Sequence, residues 1–433
     1  MSICAPRLAL RPLADTRWTT MADIIRFRED TRPAELLYQG VVHTQTGGRD
    51  VYFISDPDAI ATILQTDSRN FPKAPANYRI GYRAFGPSIA GTRGPANQRQ
   101  RKAFAPLFGG PALRRMAPVN LEAAKAAVAR WSGCDRLDLS RAASRLALDI
   151  SWSMFLGPGH YTQASDQVEA LFDRLLSIPK SDMTAQLGVL GDLVDELVRS
   201  GRDKILRHDN PISQISCPMG SGGAAPLSQR EIYANAMNMA LVGFASTGNC
   251  LAWGLWVLGQ VPDFQDSLRR RARQGQPITG ALQALYREVL RLWPPAPDAL
   301  RLANRTLAVQ GHTIAPGAHI MVCPYALHRR ADIWPDPDRF DVHRFAGVDT
   351  TLPRHQTIWP FSGGNHRCPG QAFAWAELVS VTAVLIQSFR ISVAADEASQ
   401  VGLKVGALLD PDRPLMAQLD PIEPNTNNSS RAR

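Results

Sequence analysis

Helical spacing of apolar residues covers most of this 433-residue chain, whereas strand-like alternation is confined to a few short segments. Segment 41–55 alternates around a Gly-Gly pair, which predicts a β-hairpin, and short strands are predicted within 300–322. The Pro-, Gly- and Ala-rich stretch 72–95 predicts a long loop, as does 210–227. The pattern indicates a mainly α fold with small β-sheets (α+β), with helices over 56–67, 97–107, 112–131, 141–156, 164–178, 182–207, 280–292 and 371–389.

One predicted helix is unusually long and apolar. The sequence Ser228-Gln229-Arg230-Glu231 has the form of a capping box, which predicts a helix N-terminus. Apolar residues continue from there to about Gly259, so the helix would be roughly 30 residues and roughly 45 Å long. A helix that is apolar on most faces is expected to cross the core of the protein.

The amino-acid composition indicates an ordinary globular core and a basic surface. Apolar residues make up 45% of the chain, and the formal net charge is +9. The arginines are dispersed, so a solvated Arg-rich surface is favoured over a nucleic-acid partner. No uninterrupted apolar run reaches about 18 residues, and the N-terminal region has no signal-like apolar segment. We therefore expect a soluble, cytoplasmic protein that does not span a membrane.

The six cysteines are scattered without a CxxC pair, which predicts reduced thiols rather than a disulfide framework. Cys368 differs from the others because it ends a glycine-rich loop just before a predicted helix. A thiolate at a helix N-terminus is a suitable axial ligand for haem iron. The spacing of Phe361, Gly364, Cys368 and Gly370 resembles the cysteine-ligand loop of the cytochrome P-450 family, in its bacterial form with His366.

This resemblance covers about 50–410 and implies the fold, the cofactor and the reaction. It implies a single catalytic domain over 41–420, preceded by an N-terminal segment, 1–40, and followed by an Asn- and Ser-rich tail, 421–433, expected to be disordered. One haem b would be held by Cys368, without covalent attachment because no CxxCH occurs. The protein is expected to be a monomer that uses O₂ to oxidise a small, mostly apolar, secondary-metabolite-like substrate. No nicotinamide- or flavin-binding fingerprint occurs, so electrons would come from a separate ferredoxin and its reductase.

Several charged residues gain a role through the resemblance. Glu288-x-x-Arg291 and the later Arg344 would form a buried charge network that stabilises the core behind the cysteine loop. Arg101, Arg301 and His366 would bind the haem propionates. Phe361 would pack beside the sulfur, while Gly364 and Gly370 would let the backbone approach the macrocycle. Asn97 stands where the family usually has Trp or His and would donate one hydrogen bond to a propionate.

The long helix departs from the family pattern where oxygen is activated. Gly243-Phe244-Ala245-Ser246 aligns with Gly-x-acid-Thr, so the acid is replaced by Ala245. The hydroxyl group would come from Ser246, with Thr247 as a second candidate. Because proton delivery is needed for O–O cleavage, the substitution leaves open an altered reaction: oxidative coupling, desaturation, dehydration or peroxide-driven oxidation.

Other features are assigned more coarsely. The distal pocket would be lined by Phe85, Met239, Val242, Ala245 and Leu300. A basic surface would dock an acidic ferredoxin through Arg99, Arg101, Lys102 and Arg367. A non-enzymatic protein that binds haem or a ligand is the third hypothesis, beside monooxygenation and altered haem-thiolate chemistry.

Overall fold

The computed structural model describes residues 3–16, 32–156, 226–347, 358–405 and 408–422, together with a few single positions between 157 and 225. Helices dominate this part, and its strands form five small sheets, which confirms the predicted mainly α fold. The helices are α1 Pro57–Ala61, α2 Pro75–Phe85, α3 Gly94–Phe104, α4 Gly110–Trp131, α5 Leu139–Leu156, α6 Gln229–Leu258, α7 Pro262–Arg273, α8 Thr279–Leu292, α9 Pro324–Leu327, α10 Gln371–Ser388 and α11 Ala395–Gln400. The strands are β1 Ile3–Cys4, β2 Val41–Thr46, β3 Arg49–Ile54, β4 Arg136–Asp138, β5 Ala299–Leu302, β6 Leu307–Val309, β7 His312–Ile314, β8 His319–Val322, β9 Arg339–Phe340, β10 Phe389–Ser392, β11 Leu403–Val405, β12 Leu409–Pro411 and β13 Met416–Pro421.

The largest sheet has the strand order β2-β3-β8-β5. Strands β2 and β3 form the predicted hairpin, whose turn places Gly47 and Gly48 at positive φ angles of 56° and 69°. Strand β8 pairs with β3 in parallel and with β5 in antiparallel fashion. At the N-terminus, Ile3 pairs with Phe340, so strand β1 is attached to the body of the fold through β9.

The predicted long helix is confirmed as α6, which has 30 residues. Its capping box is formed: the Ser228 hydroxyl accepts the Glu231 N–H, and the Glu231 carboxylate accepts the Ser228 N–H. Helix α6 is the one helix of the described residues that is long and apolar enough to cross a membrane, but 78% of its most apolar window is buried inside the protein. A buried core helix passes the same test of length and apolarity.

The core surrounds the C-terminal half of α6, which packs against α5, α8 and α10, while α4 packs on α5 and α10. Trp253 of α6 stacks on Trp293, with ring centroids 4.3 Å apart, and Trp256 meets both rings edge-on. At Gly248, an added Cβ would lie 2.6 Å from the Ser144 Cα, so glycine permits the close crossing of α5 and α6. The position of the central helix therefore depends on this crossing.

The predicted loop 72–95 is wrong for its central part, because Pro75–Phe85 forms helix α2. Pro75 occupies the first turn, where a missing N–H is tolerated, and Gly86 ends the helix with a φ angle of 60°. The residues that suggested a loop therefore mark the two ends of a helix. Helices α7 and α11 and the C-terminal strands were not predicted.

Several sequence-based predictions cannot be compared with the structure. The helices predicted over 164–178 and 182–207 lie outside the described residues, apart from single positions. The same holds for most of the predicted loop 210–227 and for the tail beyond residue 422.

Candidate active site

Cys368 lies in a tight loop that leads directly into helix α10. Its Sγ accepts a hydrogen bond from the Gly370 N–H. The residue is accessible, yet enough protein surrounds the sulfur for burial to raise the pKa of the thiol. The Gly370 N–H and nearby positive charges oppose this shift without reversing it. A bound metal ion would therefore supply the remaining stabilisation of the thiolate.

The glycines of this loop contact protein. Gly364 has a φ angle of 51°, and an added Cβ there would lie 2.1 Å from the Ser68 Oγ. An added Cβ at Gly363 would lie 2.9 Å from the Leu64 carbonyl oxygen. These two glycines allow the loop to pack on residues 62–70, a reason that differs from the predicted approach to a macrocycle. Gly370 differs, since its Cβ position is 3.9 Å from the Cys368 Sγ.

Two aromatic rings lie on the helix side of the loop. Phe361 is partly buried, and its ring centroid lies 6.3 Å from that of Trp375 in α10. The Cys368 N–H donates to the Phe361 carbonyl at 2.9 Å, which closes the loop. The Cβ position of Gly370 is also 3.9 Å from Phe108, which packs edge-on against Phe373.

Four basic side chains gather beside Cys368, namely Lys73, Arg101, Arg301 and His366. Lys73 is brought there by a β-bridge between its backbone and that of Arg301. Arg301 is buried, and it donates to the Leu300 carbonyl and the Ser362 hydroxyl, each at 3.1 Å. Within the described part of the chain, none of the four forms an ion pair with a carboxylate. Lys73, Arg101 and Arg301 therefore concentrate positive charge here, with Arg301 buried and the other side chains of the cluster partly buried.

The pKa values of this cluster reflect its burial and mutual repulsion. Burial, followed by the charges of Arg301 and Arg101, lowers the pKa of Lys73 to about 8. Burial lowers the pKa of Arg301 to about 10. Burial and the charges of Arg301, Lys73 and Arg101 lower the pKa of His366 to about 3, so its imidazole is neutral and can donate one hydrogen bond.

Asn97 orients the Arg101 side chain through a hydrogen bond. The Asn97 Oδ1 accepts from the Arg101 Nε at 3.2 Å, and Arg101 also donates to the Arg367 carbonyl at 3.0 Å. The Asn97 Nδ2 donates to the carbonyls of Ile89 and Thr92 at 2.8 and 3.1 Å. Its amide donors are thus directed at the loop before α3, while its oxygen orients the guanidinium. The predicted hydrogen bond from Asn97 to a haem propionate stays a prediction.

The residues present fit haem b. Cys368 would hold the iron, whose charge favours the thiolate. Arg101, Arg301, His366 and Lys73 would receive the two propionates, which would offset the positive charge gathered there. Charge-assisted hydrogen bonds from these donors are stronger than neutral ones.

On α6, one stripe of residues is less enclosed than its surroundings. Val242 is 49% exposed, and Ala245 and Ser246 are partly buried. The Ser246 Oγ donates to the Val242 carbonyl at 3.1 Å. Thr247 is buried and lies about 100° further around the helix axis, so it does not share this stripe. Gly243 packs toward α5, with its Cβ position 3.1 Å from the Ser151 Oγ.

A carboxylate reaches this helix one turn beyond Ser246. The Asn249 Nδ2 donates to the Asp410 Oδ1 at 2.9 Å and to the Leu409 carbonyl at 2.7 Å. Both side chains are buried. Strand β12 therefore brings an acidic residue to the helix that lacks an acid at position 245.

Glu288, Arg291 and Arg344 lie together behind the cysteine loop. Arg291 donates two hydrogen bonds of 2.7 Å to the Glu288 carboxylate, and both side chains are fully buried. Arg344 donates to the same carboxylate at 3.0 Å, as does the Asp341 N–H at 3.1 Å. Arg291 also donates to the His328 carbonyl at 2.8 Å. Both carboxylate oxygens of Glu288 thus accept hydrogen bonds, as a buried carboxylate requires.

The predicted pocket residues separate into two groups. Met239 lies in a buried cluster with Ile89, against which Phe85 and Ala245 pack. Leu300 instead lies in the core beneath the four-stranded sheet, away from that cluster. Lys73, whose main-chain N–H donates to the Tyr78 hydroxyl, was missed as a site residue. Its approach to Cys368 depends on tertiary contacts, and no sequence motif marks it.

The fold and the site define a class of protein, the haem-thiolate oxidoreductases. The family model described as "Cytochrome P450" matches residues 29–416. The chain belongs to this family, and it is accordingly a haem-thiolate monooxygenase with an iron-ligating cysteine. Its members act on a substrate with O₂ and receive electrons from redox partner proteins.

Individual relatives agree. A Mycobacterium tuberculosis protein provisionally assigned as cytochrome P450 137 is 29% identical over 81% of this chain and 77% of that protein. Cyclooctat-9-en-7-ol 5-monooxygenase of Streptomyces melanosporofaciens is 23% identical over 81% of this chain and 82% of its own length. The solved structure of retinoic acid-bound cyanobacterial CYP120A1 has a TM-score of 0.77 at 20% identity, covering 90% of this chain and 93% of that one.

Proposed function

We propose that this monooxygenase inserts one atom of O₂ into a small, mostly apolar organic compound of the secondary-metabolite type. The observation that carries this proposal is the apolar wall formed by Phe85, Ile89, Met239 and Ala245, of which Met239 and Ala245 share helix α6 with Ser246. The Streptomyces relative is named for a cyclic alcohol with few polar groups, which supports an apolar substrate. Burial of apolar surface would then supply most of the binding energy.

Haem, when bound, supplies O₂ activation and oxidation of the substrate. The side chains of this protein bind and orient the cofactor. Arg301, fixed by Ser362, and Arg101, fixed by Asn97, present their guanidinium groups without further rearrangement. The network around Glu288 holds the core behind the cysteine loop in one arrangement.

Proton delivery is proposed to depend on Ser246 together with Asp410. Ser246 offers a hydroxyl on the accessible stripe of α6. Asp410 offers a carboxyl group one helical turn away, with Asn249 bonded to it. This arrangement would take the place of the acid that Ala245 lacks, since a carboxyl group can take up a proton from solvent and pass it inward.

Ala245 also favours a second candidate function, in which the same site catalyses oxidative coupling, desaturation, dehydration or peroxide-driven oxidation. Because proton delivery is needed to cleave the O–O bond of O₂, a restricted proton supply favours routes that bypass it, such as oxidation by peroxide or a dehydration. The third hypothesis, a non-enzymatic ligand-binding protein, is disfavoured because the chain belongs to a family of monooxygenases.

Electrons are proposed to come from a ferredoxin and its reductase. Of the four basic residues predicted to dock it, Lys102 and Arg367 are exposed. Arg101 turns inward to Asn97, and Arg99 pairs with Glu231. The proposed docking surface is therefore reduced to Lys102 and Arg367. We further propose that the protein acts as a cytoplasmic monomer without a membrane or nucleic-acid partner.

Incubation under ¹⁸O₂ tests the proposed reaction. The haem-loaded protein would be supplied with a plant-type ferredoxin, its reductase, NADPH and a panel of small cyclic alcohols. Monooxygenation predicts products that carry one ¹⁸O atom. Products without ¹⁸O would favour the second candidate, and consumption of NADPH without any product across the panel would count against the proposed substrate class.

A further inference from the structure

The loop 86–92 joins helix α2 to the start of α3 and is fixed unusually firmly. Ser88 is completely buried, and Ile89 packs into the cluster that contains Met239. At Gly91, an added Cβ would lie 2.5 Å from the Gly86 carbonyl oxygen, so the loop is folded tightly upon itself. This loop therefore forms part of the apolar wall of the proposed pocket.

The peptide groups of Ile89 are held from both sides. Its N–H donates to the Asn235 Oδ1 of helix α6 at 2.9 Å. Its carbonyl accepts from the Asn97 Nδ2 of helix α3 at 2.8 Å. All of these groups are buried, so each hydrogen bond is costly to leave unmade.

Gln100 joins the two sides. Its Nε2 donates to the Pro87 carbonyl at 2.8 Å, and its Oε1 accepts from the Asn235 Nδ2 at 3.1 Å. The Asn235 Nδ2 also donates to the Glu231 carbonyl at 2.8 Å. Three amide side chains on two helices thus bind the loop backbone, and we refer to Asn97, Gln100 and Asn235 as the amide clamp.

The clamp connects two parts of the site. On one side, Asn97 also holds Arg101, which donates to the Arg367 carbonyl in the cysteine loop. On the other side, Asn235 lies on α6 at helical spacing from Met239, Val242 and Ser246, so they share one face. Displacement of Ile89 would therefore alter both the pocket wall and the orientation of Arg101.

We infer that the amide clamp determines which ligands the pocket accepts, by fixing the position of Ile89. Asn235 and Gln100 are positioning residues in this account: they act through the loop and touch neither cofactor nor substrate. The inference rests on the proposed function in so far as the pocket lies beside haem. It adds to that function the residues that set the shape of the substrate wall.

The test compares Asn235→Leu with Asn120→Leu. Asn120 is an equally buried asparagine of α4 that donates to the Ser380 hydroxyl at 2.9 Å, outside the clamp. Hydrogen exchange of the haem-loaded protein would be measured over residues 86–92. Exchange should rise by about tenfold or more in Asn235→Leu and remain unchanged in Asn120→Leu, because a buried hydrogen bond of the loop is lost only in the former.

Binding of imidazole and 4-phenylimidazole, followed by absorbance, gives the second reading. The ratio of their dissociation constants should change by at least about threefold in Asn235→Leu and not in Asn120→Leu. Should Asn235→Leu fail to fold, Gln100→Leu, which leaves α6 unaltered, serves in its place. Unchanged exchange, or faster exchange with an unchanged ratio, would overturn the inference. Absence of a thiolate-type spectrum would instead refute the proposed function, while the exchange measurement would still test the clamp.

Discussion

The charged side chains of Lys73, Arg101 and Arg301 beside Cys368 repel one another, and this repulsion favours an anionic group between them. Two of these side chains are positioned by a neighbour. The backbone bridge to Arg301 brings Lys73 to the site, and the hydrogen bond from its Nε to Asn97 orients Arg101. An anionic ligand relieves the repulsion, so the energy of binding includes the removal of an unfavourable arrangement.

Replacement of Lys73 by Met should accelerate haem loss. Its ammonium group is close enough to Cys368 and Arg301 to contribute to the same electrostatic site. We expect transfer of haem to apomyoglobin to become about fivefold faster or more, given the strength of charge-assisted hydrogen bonds. The exposed Lys102→Met has the same charge change and should leave the rate unaltered. Equal rates for the two variants would contradict the assignment of Lys73.

Replacement of Asp410 by Asn should impair proton delivery. If Asp410 supplies the missing carboxyl group, the variant should release at least about threefold more hydrogen peroxide for each NADPH consumed. The control is Asp412→Asn. Asp412 lies two residues after Asp410 and accepts a hydrogen bond from the Gly402 N–H. Equal peroxide release by both variants would remove Asp410 from the account.

Introduction of an acid at position 245 separates the two candidate reactions. If the native reaction is monooxygenation, Ala245→Asp should alter only the efficiency with which NADPH is used. If the native reaction is an altered outcome, the variant should gain hydroxylated product at the expense of the native one. Product analysis by mass spectrometry, beside the neutral and isosteric Ala245→Asn, distinguishes these results.

At the scale of elements, the site is assembled where α6 crosses α5 and where the cysteine loop meets residues 62–70. Glycine permits both approaches, at Gly248 and at Gly364. Neither contact involves a group that reacts. Gly248 and Gly364 therefore serve the packing of the fold rather than the reaction itself.

Substitutions at the helix crossing should differ sharply in their effect. Gly248→Ala would place a Cβ 2.6 Å from the Ser144 Cα, so the helices must separate. We expect a loss of about 2 kcal/mol in the free energy of unfolding. Gly243→Ala faces only the Ser151 hydroxyl at 3.1 Å, which can rotate, and should change stability by less than about 1 kcal/mol. Denaturant titration compares the two, and equal losses would contradict the assigned crossing.

At the scale of the whole molecule, buried polar groups make stability depend on pH. Burial and the charge of Arg291 lower the pKa of His328 to about 3. Its Nε2 accepts the Trp359 N–H at 3.1 Å, and its Nδ1 lies 3.1 Å from the Arg291 carbonyl, so only the neutral ring fits. Because the folded state resists protonation, stability falls as the pH decreases from the ordinary value near 6.5 toward 3.

The contribution of His328 can be isolated. Between pH 7 and pH 5, its protonation in the unfolded state should remove about 2 kcal/mol of stability. His328→Gln keeps a donor and an acceptor and should lose less over the same interval. The measurement is the free energy of unfolding at both pH values, and parallel losses in the two proteins would contradict the pKa shift.

The sequence predicts those parts of the structure that depend on local spacing. Three local features were predicted correctly, namely the capping box at Ser228, the hairpin after Val41 and the cysteine loop. Each is formed by residues close together in sequence, so the sequence pattern alone is sufficient to predict it. Lys73 and Asp410 could not be recognised, because each reaches the site through a strand contact distant in sequence. The sequence places Asn97 where a residue would bind a haem propionate. The structure shows that the Asn97 amide donates to the Ile89 carbonyl, a contact that the sequence does not indicate.

The ferrous–CO difference spectrum of the purified protein, beside that of Cys368→Ala, tests the central claim most directly. A haem-thiolate protein should give a red-shifted band of the thiolate type, and the band should be lost in the variant because the sulfur ligand is removed. A band of the histidine type in the unaltered protein, or a thiolate-type band that persists in Cys368→Ala, would contradict the account.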